Sequence, residues 1–324
     1  MMLIDRRKAL TALTCTAATA LAYPAWSQDN RDIYNFVSAF PPGSGADVLV
    51  RFWSQKLTPI IPGPIVVANK PGAMGFLAAE YTARSKPDGH TIFVHAGTSI
   101  AGNMHVFKNP PFDVTKDLRV AATLSRHSYM LVAGKNAPYK NLQELTAALR
   151  SKGDKATYGT SNTSSFLIGE LYKQKANLKV VNVNYRTSAD WINDLNSGAL
   201  DFAIVDSIAG LGVARQGTWR LIAIGSGTRM ASTPDLPTFA ESGYPGIDVV
   251  SWWGALVPST TPEPIVETIR GWFNKAVQSP DTTEFLKASG NDVYSASPEE
   301  AAGLLAATAA QWKTFVEIAK IEKI

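Results

Sequence analysis

Four stretches of this chain concentrate glycine and small hydroxyl residues. They are Pro41-Pro42-Gly43-Ser44-Gly45, Gly97-Thr98-Ser99, Thr160-Ser161-Asn162-Thr163-Ser164 and Arg186-Thr187-Ser188. Each lies between an apolar run of strand length and a segment with helical spacing. The first turn of a helix offers unpaired N–H groups and the positive end of the helix dipole. Small side chains let a ligand approach that backbone closely, and their hydroxyls add donors. The combination suits a carboxylate or another small oxyanion. A micromolar ligand requires about 8 kcal/mol, and a hydrogen bond to a charged group contributes about 1.5–3 kcal/mol. About five or six such donors therefore hold a small carboxylate after association costs, with no buried arginine. Taken singly, each stretch is also an ordinary helix cap.

Catalytic patterns are missing. His90, His95, His105 and His127 have no metal-ligand spacing, and no H-E-x-x-H or cysteine pair accompanies them. His95 ends an apolar run beside a candidate loop, where a satisfied structural histidine is the simpler reading. Ser99 sits outside any G-x-S-x-G elbow. No Walker loop occurs, and Val48 stands where a dinucleotide fingerprint needs its third glycine. Asp47, Asp206 and Glu80 could act as acids or bases, but nothing pairs them. The expectation is a binding protein without cofactor or metal, not an enzyme.

The elements that must position these loops alternate. Asp32–Phe40 reads as a strand before Ala46–Leu57, where Val48, Leu49, Phe52, Trp53 and Leu57 fall near helical spacing. Ile65–Ala68, Thr91–His95, Ala156–Gly159, Val180–Tyr185, Phe202–Val205 and Leu221–Ile224 read as further strands. The segments Gly72–Arg84, Ser165–Lys175 and Ala189–Leu195 read as helices. This argues for an α/β fold with largely parallel sheets, whose ligands sit beyond the strands' carboxyl ends. Pro262–Val277 and Pro298–Lys320 are helical, with caps expected at Thr261 and Ser297. No low-complexity linker separates the halves, so domains joined by crossing strands are expected.

The 324 residues suit about two domains. With 45% hydrophobic and 18% charged residues the chain is neither disordered nor fibrous. Arg6, Arg7 and Lys8 precede the uncharged stretch Ala9–Tyr23 and the small residues Ala25 and Ser27. That pattern predicts a signal peptide over residues 1–27, too short to span a bilayer comfortably, and export to the periplasm. Arg6-Arg7 leaves both the general and the twin-arginine export routes open. The single cysteine, Cys15, would leave with it. Outside those residues 28 basic and 26 acidic side chains nearly balance, which gives no electrostatic case for nucleic acid.

Several segments together resemble one family. Phe40-Pro41-Pro42-Gly43-Ser44-Gly45-Ala46-Asp47, with Arg51, is similar to a signature of the Bug-type periplasmic receptors of tripartite tricarboxylate transporters. Asn69-Lys70-Pro71-Gly72-Ala73-Met74-Gly75 resembles that family's second signature. Lys86-Pro87-Asp88-Gly89, Asp235–Gly243 and Trp252-Trp253-Gly254 also look like family segments. The resemblance implies a type II periplasmic-binding-protein fold, with two α/β lobes and a cleft that closes on its ligand. Lobe 1 would be 28–126 plus 249–324, and lobe 2 would be 127–248. It implies a monomer that binds a small carboxylate, aromatic or dicarboxylic, and delivers it to membrane permease subunits. A sensor component serving a signalling kinase is the alternative. By position, the ligand loops would be Phe40, Pro42, Gly43, Ser44, Gly45, Ala46 and Asp47, then Thr98 and Ser99. Ser161, Asn162, Thr163, Tyr185 and Asp206 would face them. Arg186 stands where the family often has glycine, and it would either grip a second carboxylate or point into solvent. Trp252 and Trp253 would either stack on a ligand or pack between the lobes.

Overall fold

A computed structural model describes residues 33–185, 191–321 and 323. The expected signal peptide and Arg186 lie outside the described residues. The strands are β1 (Tyr34–Ser38), β2 (Ile65–Asn69), β3 (Thr91–Ala96), β4 (Leu118–Gly134), β5 (Thr157–Thr160), β6 (Val181–Asn184), β7 (Phe202–Asp206), β8 (Trp219–Ile224), β9 (Val250–Pro258) and β10 (Asp292–Val293). In chain order the helices begin with α1 (Gly45–Leu57), α2 (Phe76–Ala83), α3 (Gly97–Val106), α4 (Val114–Asp117), α5 (Leu142–Lys152) and α6 (Thr163–Lys175). They continue with α7 (Ile192–Ser197), α8 (Ser207–Arg215), α9 (Glu263–Val277), α10 (Pro280–Ala288) and α11 (Pro298–Ala319).

Two sheets share one strand. The first runs β2-β1-β3-β9-β4, parallel from β2 to β3 and antiparallel across β9. In the second, β6, β5 and β7 are parallel neighbours, and β4 pairs antiparallel with β7 and β8. β4 is the crossing element: Leu118–Ser128 pairs with β9, and Tyr129–Val132 with β7. At the second crossing the Val249 N–H donates to the Gly225 carbonyl (2.8 Å), and Ser128 Oγ donates to the Val249 carbonyl (2.9 Å). The two lobes are thus joined by extended chain, as the missing linker suggested.

Burial explains the strand sequences. Every residue of β3 is buried, because helices cover both faces of a parallel sheet, so it reads as a continuous apolar run rather than an alternation. On α1, Leu49, Val50, Trp53 and Leu57 point into the first lobe's core and Val48 is exposed. Gly97, where β3 turns into α3, has its neighbour across the sheet so close that a Cβ would fall inside the Trp252 ring.

Two expectations need correction. Gly72–Arg84 is not one helix. Gly72, Ala73, Met74 and Gly75 have φ of 139°, 45°, 52° and 98°, so the run is a tight turn and α2 begins at Phe76. The two glycines carry this conformation at little cost, but Ala73 and Met74 are strained. Likewise Thr261 does not cap α9, whose N-cap is Pro262, whereas Ser297 Oγ does accept from the Glu300 N–H.

The C-terminal helix is not confined to one lobe. Ala301, Leu305 and Ala309 of α11 pack with β3 and β9 residues of the first lobe. Trp312 and Val316 join the second lobe's core with Leu167, Ile168 and Leu171 of α6. Gln174 Nε2 also donates to the Ile318 carbonyl at 2.9 Å.

Candidate functional site

At the carboxyl ends of the parallel strands a cavity of about 970 Å³ lies between the lobes. Phe40, Ser44, Ala46, His95, Ser99 and Trp253 line it from the first lobe. Ser161, Asn162, Thr163, Ser164 and Asp206 line it from the second. No lysine or arginine is among its described lining residues. Among these described residues a negative charge is met by dipoles alone.

The first wall is held by a buried carboxylate. Asp47 Oδ2 accepts from the Gly43 N–H (2.9 Å) and from Arg51 Nε (2.8 Å), and Oδ1 accepts from Asn69 Nδ2 (2.6 Å). Asn69 Nδ2 also donates to the Phe40 carbonyl at 2.9 Å. Burial pushes the Asp47 carboxyl up, but the bonds from Gly43, Arg51 and Asn69 outweigh it and hold the group below its ordinary range. Asp47, Arg51 and Asn69 come from the two signature segments noted above. Together they fix the loop that presents Phe40 and Ser44. Ser44 Oγ caps α1 by accepting from the Asp47 N–H, which leaves the N–H groups of Gly45 and Ala46 without intrahelical acceptors.

In the second wall, Asn162 and Ser165 form a reciprocal capping box at the start of α6. The N–H groups of Thr163 and Ser164 therefore point out of the helix end. Asp206 Oδ1 caps α8 by accepting from the Ala209 N–H at 2.9 Å. Tyr129 is hydrogen-bonded to Ser164, and burial pushes its hydroxyl up to about 12, with Asp206 adding to the rise.

The expected site residues divide. Phe40, Ser44, Ala46, Ser99, Ser161, Asn162, Thr163 and Asp206 come together around the cavity. Pro42, Gly43, Gly45, Asp47, Thr98 and Tyr185 are not on its lining. Thr98 Oγ1 accepts from the Trp252 N–H at 3.1 Å, and the Tyr185 hydroxyl donates to Asp194 Oδ2 at 2.6 Å. Both hydroxyl groups are thereby occupied within the protein. Trp252 packs in the first lobe's core with its Nε1 donating to Thr308, while its neighbour Trp253 lines the cavity.

Sequence reasoning missed Asn103, His127, Tyr129 and Trp312, all on the lining. It also misjudged His95. Neither ring nitrogen of this 2% exposed side chain has a hydrogen-bond partner, so it is not a satisfied core histidine. Burial lowers His95 to about 3. It lowers His127 to about 4 against the opposing pull of the Asp206 carboxylate. Both rings are neutral at pH 7. Among the described residues no cluster could hold a metal ion, and no helix is long and apolar enough to cross a membrane.

Residues 49–321 match the family model for the tripartite tricarboxylate transporter family receptor, TctC. The chain is 27% identical to the protein BugT of Bordetella pertussis over 309 residues, 94% of this chain and 93% of BugT. Among solved structures it is similar to Rpa4515 of R. palustris with adipate (TM-score 0.78, 26% identity, covering 92% of this chain and 100% of that one). MatC of Rhodopseudomonas palustris with bound malate gives a TM-score of 0.74 at 25% identity, covering 88% and 98%. The curled, two-lobed α/β architecture is that of periplasmic binding proteins. With the family model covering most of its length, the chain belongs to the Bug-type receptors of the tripartite tricarboxylate transporter family, which are solute-binding proteins and not enzymes.

Proposed function

We propose that the interlobe cavity captures an organic acid in the periplasm and presents it to the permease subunits of a tripartite transporter. The carboxylate lies between the helix N-termini of α1 and α6, one from each lobe. The ligand's apolar body rests against Phe40, Trp253 and Tyr129, which favours an aromatic ring or a dicarboxylic chain. The observation that carries this reading is the cavity's donor set: two helix starts, one capped by Ser44 and one rich in Ser and Thr, with no cationic side chain on the described lining. The acids named with the two neighbouring structures, adipate and malate, belong to the same chemical class.

Closure follows from the same geometry. Residues 28–126 with 249–324, and 127–248, act as the two lobes, the end of α11 reaching onto the second, and only their approach brings both helix ends to one anion. Bound acid therefore stabilises the closed form, and the receptor works as a monomer exported by its N-terminal segment. Calorimetry with benzoate and adipate against benzamide and adipamide tests the reading. The acids should bind and the neutral amides should not, because only a charge gains from the aligned dipoles. Equal binding of acid and amide would overturn it.

A further inference from the structure

One residue on the cavity is held in a backbone conformation that its type disfavours. Among the described residues four that are not glycine have positive φ: Ala73 (45°), Met74 (52°), Asn177 (50°) and Lys320 (51°). Asparagine tolerates the left-handed region, and Lys320 closes the end of α11, where that region is usual. Neither reason covers Ala73 and Met74, and of these two only Met74 lines the cavity. Its surroundings impose the strain. The Gly75 N–H donates to the Gly72 carbonyl at 2.9 Å, which closes the turn. Asn103 Nδ2, on a buried side chain of α3, donates to the Met74 carbonyl at 2.9 Å. Leu77 lies so close to Gly72 that a Cβ there would come within 2.5 Å of its Cδ1, and a Cβ at Gly75 would come within 3.2 Å of His95 Nε2. A glycine at position 74 would take the same conformation at little cost. Strain of this kind, over-determined by its neighbours, gathers where a side chain serves a ligand.

Exposure says what that service is. Met74 is 46% exposed, whereas the lining residues His95, Tyr129, Trp253 and Trp312 are all buried. A cavity residue that remains half exposed stands at the mouth. An apolar chain left in water there gains by covering apolar surface, and the unbranched thioether adapts to the shape it covers. It has no N–H or O–H to donate to a second carboxylate. Pro71, Gly72 and Gly75, on the lining beside it, add no charge.

We infer that Met74 is a specificity residue that covers the outer end of the bound acid and that this end is apolar, so that monocarboxylic acids with an alkyl or aryl tail are the preferred ligand class. The inference rests on the reading that the cavity takes an acid, and it chooses the apolar body over the dicarboxylic one. Calorimetry on the full chain tests it with two series. One is benzoate, its three monoethyl isomers and the three benzenedicarboxylates; the other is butyrate, octanoate and octanedioate. Burying one methylene is worth about fourfold in affinity, so two or more beneath Met74 give about tenfold or better. The best tailed acid in at least one series should therefore bind at least tenfold more tightly than its parent, and more tightly than the diacids. Met74→Gly removes the side chain together with the strain, and Met74→Gln keeps the length and the strain but not the apolar surface. Each should reduce the tail preference to within threefold while the parent acid's affinity stays within threefold. Thermal melting separates a ligand role from a packing role: a Met74→Gly melting temperature lower by more than about 5 °C would show a side chain kept for the fold and overturn the inference. Parent acids that bind with no tail preference would overturn this inference alone, as would a preference that persists in either folded variant. Failure of every acid to bind would overturn the carboxylate reading and this inference with it. Should one variant fail to fold, the other and the wild-type series still decide.

Discussion

The two walls of the cavity solve the same problem with different materials. The second wall is made of helix caps: Ser161, Asn162, Thr163 and Ser164 are small, neutral, and contribute chiefly backbone N–H groups, and Asp206 caps the start of α8 beside them. The first wall has a comparable helix start at Ser44, but it surrounds that start with rings (Phe40, His95, Trp253) and anchors it on a buried charge, Asp47. A wall of caps recognises charge and little else. A wall of rings recognises shape. Affinity for acids as a class should therefore depend on both lobes, and discrimination among acids on the first.

The sharpest way to break this contrast is to remove the charged anchor. Asp47→Ala leaves the Gly43 N–H, Arg51 and Asn69 without their shared acceptor, and it should destabilise the fold by about 3 kcal/mol. Replacing the neutral cap, Asn162→Ala, should cost only about 1 kcal/mol. Denaturant titration of both variants measures the difference. The pH dependence separates them further. Because the folded-state pKa of Asp47 is lowered, its contribution is present above the unfolded carboxylate range and is lost as pH falls through the folded value. Wild type should thus lose more stability than Asp47→Ala on acidification below about pH 4, whereas Asn162→Ala should follow the wild-type profile.

A smaller effect isolates the dipoles. Thr163 is the first residue of α6, where proline fits the helix but carries no N–H. The extended Asn162 before it (φ −158°, ψ 168°) is compatible with a following proline. Thr163→Pro should weaken acid binding by about ten- to a hundredfold, the worth of one hydrogen bond to a charged group, with little change in melting temperature. Retained affinity would mean the second wall does not hold the anion. The smallest effect concerns Tyr185, whose hydroxyl is bound to Asp194 and pushed up to about 12 by burial and that bond. Tyr185→Phe should cost about 1 kcal/mol of stability and leave ligand affinity within threefold. A larger affinity loss would place the tyrosine at the ligand after all.

The contrast between the walls also explains what could be read in advance. The second wall is local: Asn162-Thr163-Ser164 announces itself as a cap between a strand and a helix, and the structure keeps it there. The fold was legible for the same reason, since the alternation of apolar runs with helical spacing is a property of neighbouring residues. His95 and Trp253 are different. They belong to fully buried strands whose apolar runs look alike whether a residue faces the core or the ligand. Only the β3–β9 pairing, between residues far apart in the chain, brings their rings together. His127 and Tyr129 were hidden likewise, in a 17-residue strand that passes from one sheet to the other. The turn at Gly72–Gly75 was misread because Ala73 and Met74 look helical, while their actual conformation is imposed by the glycines beside them.

The course of α11 bears on how such a receptor can move. A rigid rod whose near end is embedded in one half of a molecule and whose far end is embedded in the other behaves as a strap across the joint. Swinging the halves apart must bend that rod or peel away its final turns, and Trp312 is the widest part that has to come loose. The same indole forms part of the chamber wall. Whatever occupies the chamber thus touches the helix that ties the two halves together.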